Sequence, residues 1–240
     1  MRIITYNIRK GKGATGNRVH AVGNVARALS DHASDLVLCQ EVFHPSGDGQ
    51  SQTDSLARAL GMSCYYGGNK KRRVGHHGNA TFTSMVVDHV ENFDLTIGKV
   101  ERRGALYTRV CAPFLLHVVN VHLSLSHQRR LAQIYRLGRI LRQVVPESEP
   151  VLLAGDFNDW GRLLHRTIVD ELGFVDAFAD VPVLTWHAKR PVLSLDRVYV
   201  RHLEVADARR LSGVPWSNLS DHLPLEVEAH IANTAASQVH

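Results

Sequence analysis

The sequence predicts an α/β layered fold, and three observations carry that expectation. Short β-branched or aliphatic runs recur from one end of the chain to the other, amphipathic stretches lie between them, and no repeat or low-complexity linker divides them. The 240 residues are 44% hydrophobic and 21% charged, which excludes collagen, coiled coil and disorder. A chain this long buries about 70–75% of the surface that its unfolded form exposes, so it needs no disulfide or structural zinc to hold a core. One domain is expected over residues 1–232, followed by a flexible tail at 233–240.

Taken in order, the first strand is expected at Ile3–Ile8. Further strands follow at Leu36–Leu38, Thr81–Val87, Phe114–Val121, Val151–Ala154, Leu195–Val200 and Leu223–Val227. Helices are expected at Val19–Ser30, Thr53–Leu60 and Arg162–Leu172. The clearest helix runs from His127 to Val145, with Leu131, Ile134, Tyr135, Gly138, Leu141 and Val145 on one stripe. Its arginines, Arg129, Arg130, Arg136, Arg139 and Arg142, read as a solvated face. Gly11 to Gly16 lacks the Lys-Ser/Thr pair of a phosphate loop and reads as a flexible loop.

A net charge of +5 with 15 histidines favours an anionic partner without saying which. The cysteines, Cys39, Cys64 and Cys111, are odd in number and widely spaced, which fits a reducing, cytoplasmic compartment better than a disulfide framework or a zinc knuckle. Residues 1–8 alternate like a strand and do not read as a signal peptide. No run approaches the roughly 18 apolar residues of a membrane span, so no stable membrane insertion is expected. A monomer is expected.

The informative polar residues stand at the ends of apolar strands. Ile3-Ile4-Thr5-Tyr6 reaches Asn7, and Leu36-Val37-Leu38-Cys39 delivers Gln40 and Glu41. The run through Val121 carries Asn120 and leads to His122. Val151-Leu152-Leu153-Ala154 ends in Gly155-Asp156-Phe157-Asn158, Val192 to Val200 carries Asp196, and Ser220-Asp221-His222 introduces the last strand. An isolated buried carboxylate costs several kcal/mol, so this recurrence implies convergence on a cation and on one another. Oxygen-rich donors without cysteine suit magnesium or manganese rather than zinc.

In order and wording, T-Y-N-I at 5–8, Q-E at 40–41, N-V-H-L at 120–123, G-D-F-N at 155–158, L-D-R-V at 195–198 and S-D-H-L-P-L at 220–225 resemble the signature blocks of the endonuclease/exonuclease/phosphatase superfamily, and the compact bacterial stand-alone members most of all. The resemblance implies a four-layer α/β/β/α sandwich, with two mixed β-sheets packed face to face and helices outside. It implies that Glu41 is the principal Mg2+ ligand (Mn2+ being an alternative), that Asn7 helps to hold the ion, and that Asp221 is a further metal-side ligand. Asp156 then orients or deprotonates the attacking water, and Asn158 donates to the phosphoryl group. His222 contacts the scissile phosphate or acts as base, with Asp196 fixing its tautomer, and His122 donates to the phosphate or the leaving group.

Asn120 and Arg103 are expected on the substrate side. Asn69 to His77 is the most basic stretch and is expected as a loop, either a phosphate clamp or a solvated run of like charges. Arg102 and Arg109 flank the neighbouring strands, and Trp160 and Trp186 read as core residues or pocket walls. The expected activity is in-line attack of water on a phosphate ester, foremost as a nuclease-type phosphodiesterase. A phospholipid or small phosphate ester on the same site is the alternative substrate, and a non-catalytic binding module is the remaining one.

Overall fold

The computed structural model describes residues 1–16, 22–46, 51–99, 101–178 and 183–232. The expected tail at 233–240, the first residues of the helix expected from Val19 and the side chains of Lys70, Lys71 and Arg72 lie outside the described residues. In chain order the elements are β1 (Arg2–Asn7), α1 (Val22–Ser30), β2 (Leu36–Pro45), α2 (Gln52–Leu60), β3 (Ser63–Arg72), β4 (Gly75–Thr83), β5 (Val86–Asp94), β6 (Gly104–Ala112) and β7 (Leu116–His122). There follow α3 (His127–Val144), β8 (Val151–Asp156), β9 (Val175–Asp176), β10 (Asp196–Arg201), β11 (Leu203–Arg210), α4 (Trp216–Leu219) and β12 (Leu225–Ile231).

The strands form two six-stranded sheets, ordered β11-β12-β1-β2-β4-β3 and β5-β6-β7-β8-β10-β9. Both are mixed: β1 runs parallel to β2, and β7 parallel to β8, while their other neighbours are antiparallel. Successive residues of a strand face opposite sides. Ile3, Leu36, Leu38, Val118, Leu152, Ala154, Val198 and Val227 therefore form one apolar layer between the sheets. The alternate residues face the helices. Ile4, Val37 and Cys39 pack with Val25 and Leu29 of α1, Leu56 of α2 and Trp216 of α4. Val119, Val121, Val151 and Leu153 pack with Ile134, Leu137 and Leu141 of α3. The expected sandwich is present, and burial on both faces explains why its central strands read as unbroken apolar runs.

Several boundaries differ from expectation. Thr81–Val87 is not one strand. A turn at Ser84-Met85 ends β4 in the first sheet and starts β5 in the second, and Thr83 Oγ1 fixes it by accepting from the Met85 N–H at 3.1 Å. The helix expected at Arg162–Leu172 is reduced to a wide turn, Thr167–Glu171, with a short helical lead-in, and Arg162 stands outside it at a left-handed φ of 53°. The last strand starts at Leu225, just after Pro224. The basic stretch from Asn69 is the tip of the β3–β4 hairpin rather than a free loop. The buried stripe of α3 runs through Ile134, Leu137, Gly138 and Leu141, so Leu137 belongs to it and the exposed Tyr135 does not. Arg130 lies on that same stripe and is 1% exposed, which corrects its reading as a solvated residue. Among the described residues, no helix is long and apolar enough to cross a membrane.

Candidate active site

The layer between the sheets turns polar at one end. By the period of two, Asn7 shares its strand face with Ile3, Gln40 with Leu38, Asn120 and His122 with Val118, Asp156 with Ala154, and Asp196 with Val198. The apolar interior becomes a polar cluster at the strand ends simply because the inward positions change residue type there. In the second sheet the registers set Asp156 directly between His122 on β7 and Asp196 on β10.

Gly155 makes that approach possible. Its φ is +141°, and a Cβ at this position would stand 2.0 Å from the Val121 carbonyl oxygen. Across the sheets, Asn7 Nδ2 donates to Asp156 Oδ2 at 2.9 Å, while Asn7 Oδ1 accepts from the Arg9 N–H at 3.0 Å. Asp156 Oδ1 accepts from the Asn158 backbone N–H at 2.9 Å, an Asx turn that holds Asn158 at φ 51°. Asn158 Nδ2 donates to the Leu123 carbonyl at 3.0 Å.

His222 is anchored by Ser220, whose hydroxyl donates to the Asn7 carbonyl at 2.7 Å and accepts from the His222 N–H at 3.3 Å. Its Nδ1 lies 2.8 Å from Asp196 Oδ2, and its Nε2 3.8 Å from Asp156 Oδ2. His122 Nε2 approaches the same Asp156 oxygen at 3.5 Å. Burial by itself would lower the His222 imidazole, but Asp196, Asp156 and Asp221 outweigh it and push it up to about 10. Burial, with Arg103 nearby, pulls His122 down to about 4. Burial also raises the Asp156 carboxyl, against the pull of the two imidazoles.

Glu41 reaches the cluster by a different device. Cys39 pairs with Ala80 and Val42 with Gly78, so Gln40 and Glu41 together oppose Asn79. This is a β-bulge, and Glu41 stands in it at φ 57°. Strand alternation alone would place Glu41 opposite to Gln40, whereas the bulge brings it to line a 360 Å³ cavity with His122, Asp156, Asn158 and His222. Burial works to raise the Glu41 carboxyl, but His122, Lys10 and His222 prevail and hold it at about 2. Lys10 Nζ donates to Glu41 Oε2.

Other expected residues fall elsewhere. Asn120 is 0% exposed and makes no approach to substrate space: it accepts from Gln40 Nε2 at 2.8 Å and donates to the Cys39 and Ala80 carbonyls, pegging the two sheets together. Asp221 is turned to Arg9 Nε at 3.2 Å, is not among the described residues lining the cavity, and adds negative charge beside His222. Asn7 has both side-chain ends occupied, by Asp156 and by Arg9, which makes it a brace for Asp156 before it is a ligand. Arg103 lines the cavity, whereas Arg109 pairs with Asp88 on the exposed face of β6. Trp160, 52% exposed, and Trp186 wall the cavity with Leu125, Leu193 and Leu195.

Two buried arginines that sequence reasoning did not place at the site hold its loops. Arg130 donates to the Leu125 carbonyl at 2.6 Å, stands 3.6 Å from Asp159 Oδ1 and lies under the Trp160 ring at 5.0 Å. Arg197 donates to Ser194 Oγ at 2.8 Å and to the Asp159 carbonyl at 3.1 Å. For Arg130 a signal existed, since it stands in helical phase with Ile134, Leu137 and Leu141.

The carboxylates fit a hard divalent cation. Oxygens of Asp156 and Asp196 lie within 4.8 Å of one another beside the protonated His222, Asp196 Oδ1 is buried without a hydrogen-bond partner among the described residues, and Glu41 presents a third carboxylate from the cavity wall.

Fold and site together define a class: a two-sheet α/β sandwich with a carboxylate–imidazole cluster where the inter-sheet layer opens. Residues 4–222 match the Endonuclease/Exonuclease/phosphatase family, and the chain belongs to that family, whose enzymes are generally phosphoester hydrolases dependent on divalent metal. The uncharacterized protein YbhP of Escherichia coli K12 is 34% identical over 245 residues, covering 96% of each chain. Among solved structures, an endonuclease/exonuclease/phosphatase from Beutenbergia cavernae superposes with a TM-score of 0.81 at 21% identity, over 97% of this chain and 72% of that one. The mannosyl-6-phosphatase Bt3783 of Bacteroides thetaiotaomicron gives a TM-score of 0.74 at 18% identity, over 96% and 100%. At these identities the structures speak to the fold alone.

Proposed function

We propose that this protein hydrolyses phosphate esters, foremost phosphodiesters of the nuclease type, by in-line attack of water. The observation that carries this reading is Asp156, set 3.5 Å from the His122 imidazole and 3.8 Å from that of His222 and facing a cavity shared with Glu41 and Arg103. Glu41, on the cavity wall beside Asp156, would hold the cation, Mg2+ foremost and Mn2+ in its place. When bound, the cation supplies Lewis acidity, offsetting charge on the phosphoryl oxygens.

The chain's own groups do the rest. Asp156, fixed by Asn7 and by the Asn158 N–H, orients the attacking water and accepts its proton. His222, fixed in orientation by Asp196, donates from Nε2 to a phosphoryl or leaving-group oxygen. Neutral His122 and Arg103 donate to the equatorial oxygens. No covalent intermediate is required, and the retention of Glu41, Asp156 and His222 argues against a module that only binds.

A second reading, a lipid or small phosphate ester as substrate, is favoured by the aliphatic wall of Leu125, Leu193 and Leu195. The chain's three free cysteines fit the cytoplasm, and we propose one domain over residues 1–232, acting as a monomer.

The test is metal-dependent release from plasmid DNA, single-stranded RNA, bis-p-nitrophenyl phosphate and a phospholipid panel. Glu41→Ala and His222→Ala should each lose at least about 10²-fold. Unchanged activity in both variants would sink the assignment.

A further inference from the structure

A second cavity, of 230 Å³, opens beside the catalytic one. Glu41, Arg103, His122 and Leu125 line both, so the two are arms of one cleft. Their chemistry differs. The catalytic arm ends on Trp160, Trp186 and leucines, whereas Lys10, Arg102 and Arg103 line the other, with Asn69 and Asn79.

Arg103 stands on the shared wall with most of its side chain buried. Its Nε has no hydrogen-bond partner among the described residues, and its Nη2 is only within 3.8 Å of Glu101 Oε1. A buried guanidinium N–H without an acceptor costs about 1–3 kcal/mol, and an anionic oxygen in this arm would remove that cost. Lys10 is held in place from its backbone, since its carbonyl accepts from Gln52 Nε2 at 2.9 Å. Glu101 and Glu41 oppose these cations, but Glu101 also lies 3.8 Å from Arg129, outside this arm, and Glu41 belongs to the catalytic side as well.

We propose that this arm is a second anion subsite that takes a phosphate group of the substrate next to the scissile one. The inference rests on the phosphoesterase reading and extends it. The preferred substrate is an ester carrying a second phosphate on one side of the reacting phosphorus, with an uncharged, largely apolar group on the other. A nucleoside phosphate chain and a glycerol bisphosphate both offer that second phosphate.

Two matched pairs of chromogenic substrates test it: the p-nitrophenyl esters of thymidine 5′-phosphate with and without a 3′-phosphate, and those of glycerol 1-phosphate with and without a 3-phosphate. The expected result is a kcat/KM about tenfold higher for the doubly phosphorylated member of at least one pair, falling toward about onefold in Arg102→Ala and in Lys10→Met. Preference in either series supports the subsite and identifies its scaffold. Absence in both, or a preference that survives both substitutions, overturns it.

Should no ester be cleaved, the phosphoesterase reading fails by itself, and binding to metal-free protein in EDTA still decides the subsite. Thymidine 3′,5′-bisphosphate should then bind about tenfold tighter than the 5′-monophosphate, with the difference lost in Arg102→Ala. Equal affinities overturn the proposal.

Discussion

Asn7 on β1 of one sheet donates to Asp156 on β8 of the other, 2.9 Å away, and both are buried. The bond ties the sheets together at the point where their shared interior becomes the site. Asn7→Ala should lower kcat by about 10-fold or more while costing only about 1 kcal/mol of stability, checked by steady-state kinetics beside urea denaturation. Equal loss of activity and folding would make Asn7 a packing residue only.

The Asp196–His222 pair predicts that orientation matters as much as charge. Asp196→Asn keeps the shape but reverses the hydrogen-bond demand on Nδ1, and should lower kcat by about 10²–10⁴-fold with little change in the far-UV spectrum. A variant as active as the parent would show that His222 needs no such partner.

The two histidines beside Asp156 should titrate far apart. In metal-free protein, imidazole ¹⁵N shifts should show His222 still protonated at pH 8 and His122 still neutral at pH 5.5. The sign for stability follows from the raised His222 value. Its contribution is complete below the unfolded pKa of about 6.5 and is lost as pH rises through about 10, so the stability difference between parent and His222→Gln should shrink over that range.

Gly155→Ala places a methyl group where the Val121 carbonyl stands, at a φ that L-residues rarely adopt. A loss of at least about 2 kcal/mol is expected, read as a lower thermal midpoint, with activity impaired even where the protein stays folded.

Arg130→Leu leaves Asp159 buried beside an apolar side chain and frees the Leu125 carbonyl. The expected loss is about 3 kcal/mol, and Asp159→Asn in the same chain should recover part of it. No recovery would mean that Arg130 acts through packing under Trp160.

Much of the site was legible in sequence, because Asp156, Asp196 and His222 stand where apolar strands end and their blocks follow a known order. What escaped has physical reasons. Glu41 is aimed by a bulge and a left-handed backbone, which alternation does not encode. Arg130 carries a charge, which sequence reasoning assigns to solvent, although its helical phase places it among leucines. Asn120 resembles a site residue in its block, yet its amide completes contacts between sheets. The Thr81–Val87 run looked like one strand because both of its halves are strands, parted by two residues that no periodicity marks.

Apart from the bulge that delivers Glu41, the inward faces of the site strands obey one two-residue rhythm, so the site is a phase relationship as well as a set of residues. One residue inserted into β8 between Val151 and Ala154 would leave the composition almost untouched yet turn Asp156 toward α3 and present Gly155 to the cleft. Two inserted residues would restore the phase but carry Asp156 about 6.6 Å along the strand, past His122 and Asp196. Length variation among proteins built this way therefore has to gather in the connections, and the lengths of the site strands form part of the chemistry.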